Sequence, residues 1–160
     1  MTNLRIAVNM QPARDDTGAL KFKATLPMGV LFEKSLDKQQ VERERVALGE
    51  AYAELVAQLR THRAAMNTHN VMAYWQFGDA LLAFENHYKT SLLFVDRLID
   101  HLTRDVDFSI TMILLCRRFR EAFPDPNRVD PKQSFTNYQR AGFDPARLSP
   151  IVRRRGRPHK

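Results

Sequence analysis

Residues 151–160 read Ile-Val-Arg-Arg-Arg-Gly-Arg-Pro-His-Lys, and they concentrate the cations of this chain. Arg153, Arg154, Arg155, Arg157 and Lys160 supply +5 of a net +7, with no acid among them. The rest of the 160 residues carries only +2, so the basicity is local. Five cations in eight residues suit the neutralisation of nucleic-acid phosphates. The order Arg155-Gly156-Arg157-Pro158 adds a geometric argument. Gly156 has no side chain, so its backbone can approach a groove floor closely. Pro158 holds the chain extended. Arg155 and Arg157 then fit the narrow, electronegative minor groove of A-tracts. The exocyclic amine of guanine would block that seat, so a preference for A/T pairs follows. A plain basic tail that binds any polyanion, RNA included, explains the same charges without the geometry.

A second set of cations is Arg117, Arg118 and Arg120. They end an apolar run that starts after Ser109, a good helix N-cap, and stops at Pro124-Asp125-Pro126. The spacing predicts a helix over about 110–123. An earlier helix is predicted over about 91–104, with Leu92, Phe94, Val95, Leu98, Ile99 and Leu102 on its apolar side. With Asp105-Val106-Asp107-Phe108 as a turn, the pair has helix-turn-helix proportions. Only Ser109 and Thr111 offer polar groups near the start of the later helix. Its arginines therefore suit clamping of phosphates more than reading of bases. Placed near a helix C-terminus, they also favour the helix dipole without any ligand.

The elements that must position these groups are mostly helical. Residues 1–36 form an irregular arm with two β-like pieces, Leu4–Val8 and Leu20–Leu26, that could pair as a hairpin, extend over a partner or stay mobile. A long helix starts near Asp37, where Asp37 and Gln40 have capping-box spacing. Val41, Leu48, Tyr52, Leu55, Leu59 and Met66 share one face of it. Five acids and five bases between residues 37 and 66 cancel, so its other face is solvated. The seam serves as ordinary core or as a dimer contact. A second helix spans about 69–85, and the close pair Trp75 and Gly78 points to tight helix–helix approach. Asn86–Ser91 reads as a loop. Asp130-Pro131 starts a short helix to about Arg140, which would dock Phe135 and Tyr138. Asp144-Pro145 starts one more turn.

Two resemblances emerge from these residues. Arg155-Gly156-Arg157-Pro158 resembles the core of an AT-hook, a peptide that lies in the minor groove of A/T-rich DNA. Residues about 71–124 resemble the helical N-terminal domain of YhcG-type bacterial proteins, often placed before a PD-(D/E)XK-type nuclease domain. The matching residues are Tyr74-Trp75-Gln76-Phe77-Gly78, Leu98, Leu102, Phe108-Ser109 and Phe119-Arg120-Glu121-Ala122-Phe123-Pro124. The resemblance implies a helix-turn-helix-like module with a nucleic-acid role. The chain departs from the pattern at Asn86-His87-Tyr88-Lys89 and at Ile110-Thr111-Met112-Ile113, and it carries no counterpart of the nuclease domain.

No enzyme chemistry is expected. Pro124-Asp125 and Asp130-Pro131-Lys132 carry the letters of a nuclease motif. Such a site needs its acids on adjacent strands around a metal, which a four-residue proline-rich connector does not build. His62, His69, His87, His101 and His159 have no metal-ligand pairing, so neither metal nor cofactor is expected. Cys116, the single cysteine, sits in an apolar run and reads as a buried hydrophobe. Phosphate-loop, nucleophile-elbow and dinucleotide fingerprints are absent from the sequence. Apolar residues make up 44%, enough for a core, and no stretch approaches the ~20 needed to span a bilayer. The start of the chain lacks a signal-peptide core. The expectation is an all-α protein: arm 1–36, a compact helical domain of four to five helices over 37–150, and a basic tail over 151–160. It would reside in the cytoplasm, at the nucleoid if bacterial. DNA is the expected partner, A/T-rich in the minor groove, with a protein partner or second copy on the 37–66 helix. An adaptor role in a larger protein–nucleic-acid assembly, or RNA binding, is the alternative.

Overall fold

The computed structural model describes residues 5–14, 16–30, 35–66 and 70–148. In chain order these form β1 (Ile6–Arg14), β2 (Leu20–Thr25), α1 (Lys38–Ala65), α2 (Val71–His87), β3 (Leu93–Val95), α3 (Leu98–Val106), α4 (Ile110–Ala122) and α5 (Phe135–Arg140). Short 3-10 turns at Pro126–Arg128 and Pro145–Arg147 flank α5.

The body is mostly helical but not all-α. A three-stranded sheet in the order β2-β1-β3 packs against the helices. The stretch expected to be an irregular arm supplies two of its strands. In β1, Ile6, Val8 and Met10 are buried while Asn9 and Gln11 are exposed, the alternation of a half-buried strand. β2 runs antiparallel to β1, with Met10 opposite Ala24 and Pro12 opposite Phe22. β3 runs parallel to β1, with Ile6 opposite Leu93 and Val8 opposite Val95. This strand corrects the expected helix over 91–104. Leu93-Phe94-Val95 is β-branched and aromatic enough to pair, and pairing with Ile6–Val8 buries Leu93 and Val95. The helix starts only at Leu98, after Arg97 takes a left-handed conformation (φ 51°).

Asp37 caps α1 as the sequence predicts, accepting from the amides of Gln39 and Gln40. The seam residues Val41, Leu48, Tyr52, Leu55, Leu59 and Met66 are all buried by the chain's own elements. Gly49 lets β2 ride directly on α1, since a Cβ there would lie 2.7 Å from the Phe22 carbonyl oxygen. α2 packs antiparallel along α1, with Tyr52 beside Phe84 and His62 beside Asp79. It runs on to His87, through part of the expected loop, because Phe84 and Tyr88 stack and the Tyr88 amide still bonds the Phe84 carbonyl.

α2 and α4 approach closely at Gly78. A Cβ there would lie 2.1 Å from the Cys116 carbonyl oxygen. Ser109 caps α4, as expected, through the Met112 amide. Beyond α4 a second aromatic cluster forms a C-terminal lobe. Phe119, Phe123, Phe135, Tyr138 and Phe143 pack with Val71, Trp75 and Val129. The Trp75 indole N–H donates to the Phe123 carbonyl at 2.7 Å and pins the lobe to α2. Asp130 does not start a helix. Its carboxylate accepts the Lys132 amide in a tight turn, and Ser134 caps α5 instead. Asp144-Pro145 does start a turn, capped by the Asp144 side chain.

Candidate nucleic-acid interface

The tail that carries Arg153, Arg154, Arg155, Gly156, Arg157, Pro158 and Lys160 lies outside the described residues. His69 and His159 do as well. The described body ends at Leu148, which is partly buried against the C-terminal lobe.

The three arginines of α4 are separated by their surroundings. Arg117 donates to the Glu85 carboxylate at 2.9 and 3.1 Å and lies 3.6 Å from Glu121. Arg120 donates to Asp79 at 2.8 Å, and its guanidinium sits 5.1 Å from the Trp75 ring. Both therefore staple α4 to α2, with their charge matched inside the fold. Arg118 points the other way. It is exposed, has no ion pair among the described residues, and lies over the Phe143 ring at 5.6 Å. One of the three remains available for a phosphate.

The outer face of α4 runs Ile110, Thr111, Leu114, Arg118, Glu121, all exposed. Ile110 and Leu114 are 45% and 38% exposed, so the N-terminal half of the face a recognition helix would turn to bases is apolar apart from Thr111. Asp107 takes a left-handed conformation (φ 58°), which makes the turn between α3 and α4 without a glycine.

A polar clamp missed from the sequence holds α3 in place. β3 ends at Val95, so beyond it β1 has no strand partner on that side. His101 and Arg104, three residues apart on α3, take over. The Met10 amide donates to His101 Nε2 at 3.2 Å, and the Met10 carbonyl accepts from Arg104 at 2.9 Å. Arg104 also grips Asp105 in a fork at 2.7 and 2.8 Å. Buried Asp105 in turn accepts from the Tyr52 hydroxyl, and its carbonyl accepts from Arg60 at 2.8 Å. Burial, then the bond to Asp105, pushes the Tyr52 phenol up, so it stays a hydrogen-bond donor. The sequence signal was present: Tyr52 lies on the seam of α1, and an Arg-Asp pair follows the apolar side of α3. Assigning residues 105–108 to a turn hid it.

The nucleophile and nuclease-motif candidates of the sequence are engaged within the fold. Cys116 is fully buried, and burial pushes its thiol up to about 12. Asp125 and Asp130 each accept their own turn's amide, from Asn127 and Lys132 at 2.9 Å. They lie on no strand, so the nuclease-like letters describe turn caps. Among the described residues, no group of three or more His, Cys, Asp or Glu side chains could hold a metal ion. A groove of about 680 Å³ runs between α1 and α2, with Ala51, Leu55, Ala80 and Phe84 among its lining and His62 and Asp79 on its wall. Burial lowers the His62 imidazole, against the raising effect of Asp79. No described helix is long and apolar enough to cross a membrane.

No protein-family model, curated protein or solved structure matches the chain.

Proposed function

We propose that this chain is a small, non-enzymatic DNA-binding accessory protein, in which a folded body presents a minor-groove tail. The observation that carries this reading is the acid-free run Arg153–Lys160, in the order Arg-Arg-Arg-Gly-Arg-Pro-His-Lys. Arg155 and Arg157 enter the groove, Gly156 permits the approach, and Pro158 holds the backbone extended. Arg153, Arg154 and Lys160 neutralise phosphates. The AT-hook resemblance supports this division of labour, and the YhcG-type resemblance supports a nucleic-acid role for the body. The body's contribution is positioning rather than base reading, because the outer face of α4 offers Ile110 and Leu114 where polar groups would be needed. The setting is the cytoplasm, at the nucleoid in a bacterium.

Fluorescence-anisotropy titrations of the full chain and a 1–152 truncation, on A/T-rich and G/C-rich duplexes at two salt concentrations, test the reading. Tail-dependent, A/T-preferring binding is expected. Equal binding by the truncation, with equal salt dependence, refutes it.

Ile110 and Leu114 also favour a second reading, an adaptor subunit whose α4 face meets a protein partner while the tail touches nucleic acid. Duplex binding by neither form, with insolubility relieved by a co-expressed partner, would support it. Binding to single-stranded RNA but to no duplex would support an RNA role.

A further inference from the structure

We infer that the rim of the C-terminal lobe is a second, phosphate-binding surface, formed by Arg118, Arg128, Lys132 and Arg140, that tracks the backbone of the duplex the tail enters. The inference rests on the DNA-binding reading and assigns the body's share of it to residues outside the helix-turn-helix-like unit.

Ion pairing within the fold and position on the lobe together select these four. Arg45, Arg104, Arg117 and Arg120 are matched by carboxylates within the fold. Arg5, Arg60 and Arg63 donate to backbone carbonyls across the core. On the lobe, Arg118, Arg128, Lys132 and Arg140 are exposed and have no ion pair among the described residues. The lobe's Asp-Pro acids cap local turns, and Asp144 also lies 3.8 Å from Arg147. Asp125, Asp130 and Asp144 accept the amides of Asn127, Lys132 and Ala146 at 2.9, 2.9 and 3.0 Å. Each carboxylate is engaged by its own turn's amide, while the cationic side chains of Arg118, Arg128, Lys132 and Arg140 are exposed. The aromatic cluster beneath is a rigid frame: Asp130 donates its amide to the Tyr138 hydroxyl at 2.7 Å, and Phe119 packs on Tyr138 and Phe143.

Chain reach brings the duplex to this rim. Leu148 is anchored in the lobe, and Arg155 follows seven residues later. Seven residues span at most about 25 Å. A duplex held by Arg155 and Arg157 therefore passes within that distance of Leu148, and the nearest folded surface is the lobe. Once the tail is seated, phosphate contacts to the rim form within one complex and at high effective concentration. The tail then sets A/T preference, and the rim adds sequence-independent affinity.

The test uses the full-length chain with Arg128→Gln, Lys132→Gln and Arg140→Gln combined, sites that are exposed and unpaired. Arg43→Gln, exposed near the start of α1 at the far end of the α1–α2 pair, serves as the control. Anisotropy titrations on an A/T-rich and a G/C-rich duplex give the salt slope. The triple variant is expected to lose about two to three units of slope. Each phosphate it no longer neutralises removes about 3.5-fold of the affinity change between 50 and 200 mM salt. Its A/T preference should persist, and Arg43→Gln should bind as the parent does. A reduction of less than one unit, beside a parent whose binding collapses on removal of residues 153–160, overturns the inference and leaves the tail reading standing. A parent that binds neither duplex overturns both.

Discussion

Replacing Arg120 with glutamine separates a structural arginine from a DNA-binding one. In the fold this guanidinium bonds Asp79 at 2.8 Å and lies 5.1 Å from the Trp75 ring, with 22% of its side chain exposed. Asp79 is 46% exposed, so solvent screens the pair and its worth is about 0.5–1 kcal/mol. The contact with Trp75 contributes about 0.5–1 kcal/mol more. Arg120→Gln is therefore expected to cost about 1–2 kcal/mol, a drop in Tm of about 2–8 °C for a domain of this size. Arg120→Lys should recover only part of that stability, because a compact ammonium does not hold Asp79 and lie by the Trp75 ring in the same way. Thermal denaturation followed by circular dichroism reads the stability. Anisotropy titrations of the same samples read the salt slope for DNA. The expected pattern is lower stability with an unchanged slope. An unchanged Tm together with a slope reduced by about one unit would refute the assignment and make Arg120 a phosphate ligand.

Gly78→Ala tests the close approach of α2 and α4. Its Cβ would meet the Cys116 carbonyl oxygen at 2.1 Å and the carbonyl carbon at 2.8 Å, both backbone atoms that cannot rotate away. The cost of forcing the helices apart, about 1–3 kcal/mol, should outweigh the ~1 kcal/mol gained in helix propensity, and urea denaturation with an unshifted or raised midpoint would contradict it. His62 provides a pH test. Burial lowers its imidazole below the usual 6.5, so the unfolded chain binds the proton more readily. Its contribution to stability is complete above that value and declines as the pH falls through it. Denaturation midpoints measured between about pH 7.5 and 5 should fall less steeply in His62→Gln than in the parent, and parallel profiles would show that His62 is not the group responsible.

The helices were legible wherever one residue type had one plausible job. Asp37 and Ser109 could be read as caps because a short acceptor side chain preceded a periodic run, and both cap as expected. The seam from Val41 to Met66 could be read because the helical period is unbroken along it. The sheet was harder. The β-like pieces near the start of the chain do form strands that pair, with β1 running through Pro12 to Arg14, but the three residues of β3 are too few to outweigh their helical neighbours. What fixes β3 is Ile6–Val8, more than eighty residues away, and no local pattern carries that information. The roles of Arg117, Arg118 and Arg120 were ambiguous for the same reason. Their partners Glu85, Phe143 and Asp79 lie on other elements, and only the packing of α2, α4 and the lobe tells the paired cations from the free one.

That separation also shapes how a near-neutral body and a cationic tail can work together. The body uses its paired arginines to hold itself together: Arg104 closes β1 against α3, and Arg117 and Arg120 close α4 against α2. Cations used in this way have carboxylates beside them and offer a phosphate little net attraction. Under the proposed function, nucleic-acid affinity comes from cations without such neighbours, and the rim of the C-terminal lobe and the tail that follows it supply them. A matched body keeps its fold at high salt through buried contacts, while binding through the rim and tail weakens by counterion competition. Stability and DNA affinity should accordingly respond to salt independently. A single set of arginines serving both roles would make them fall together.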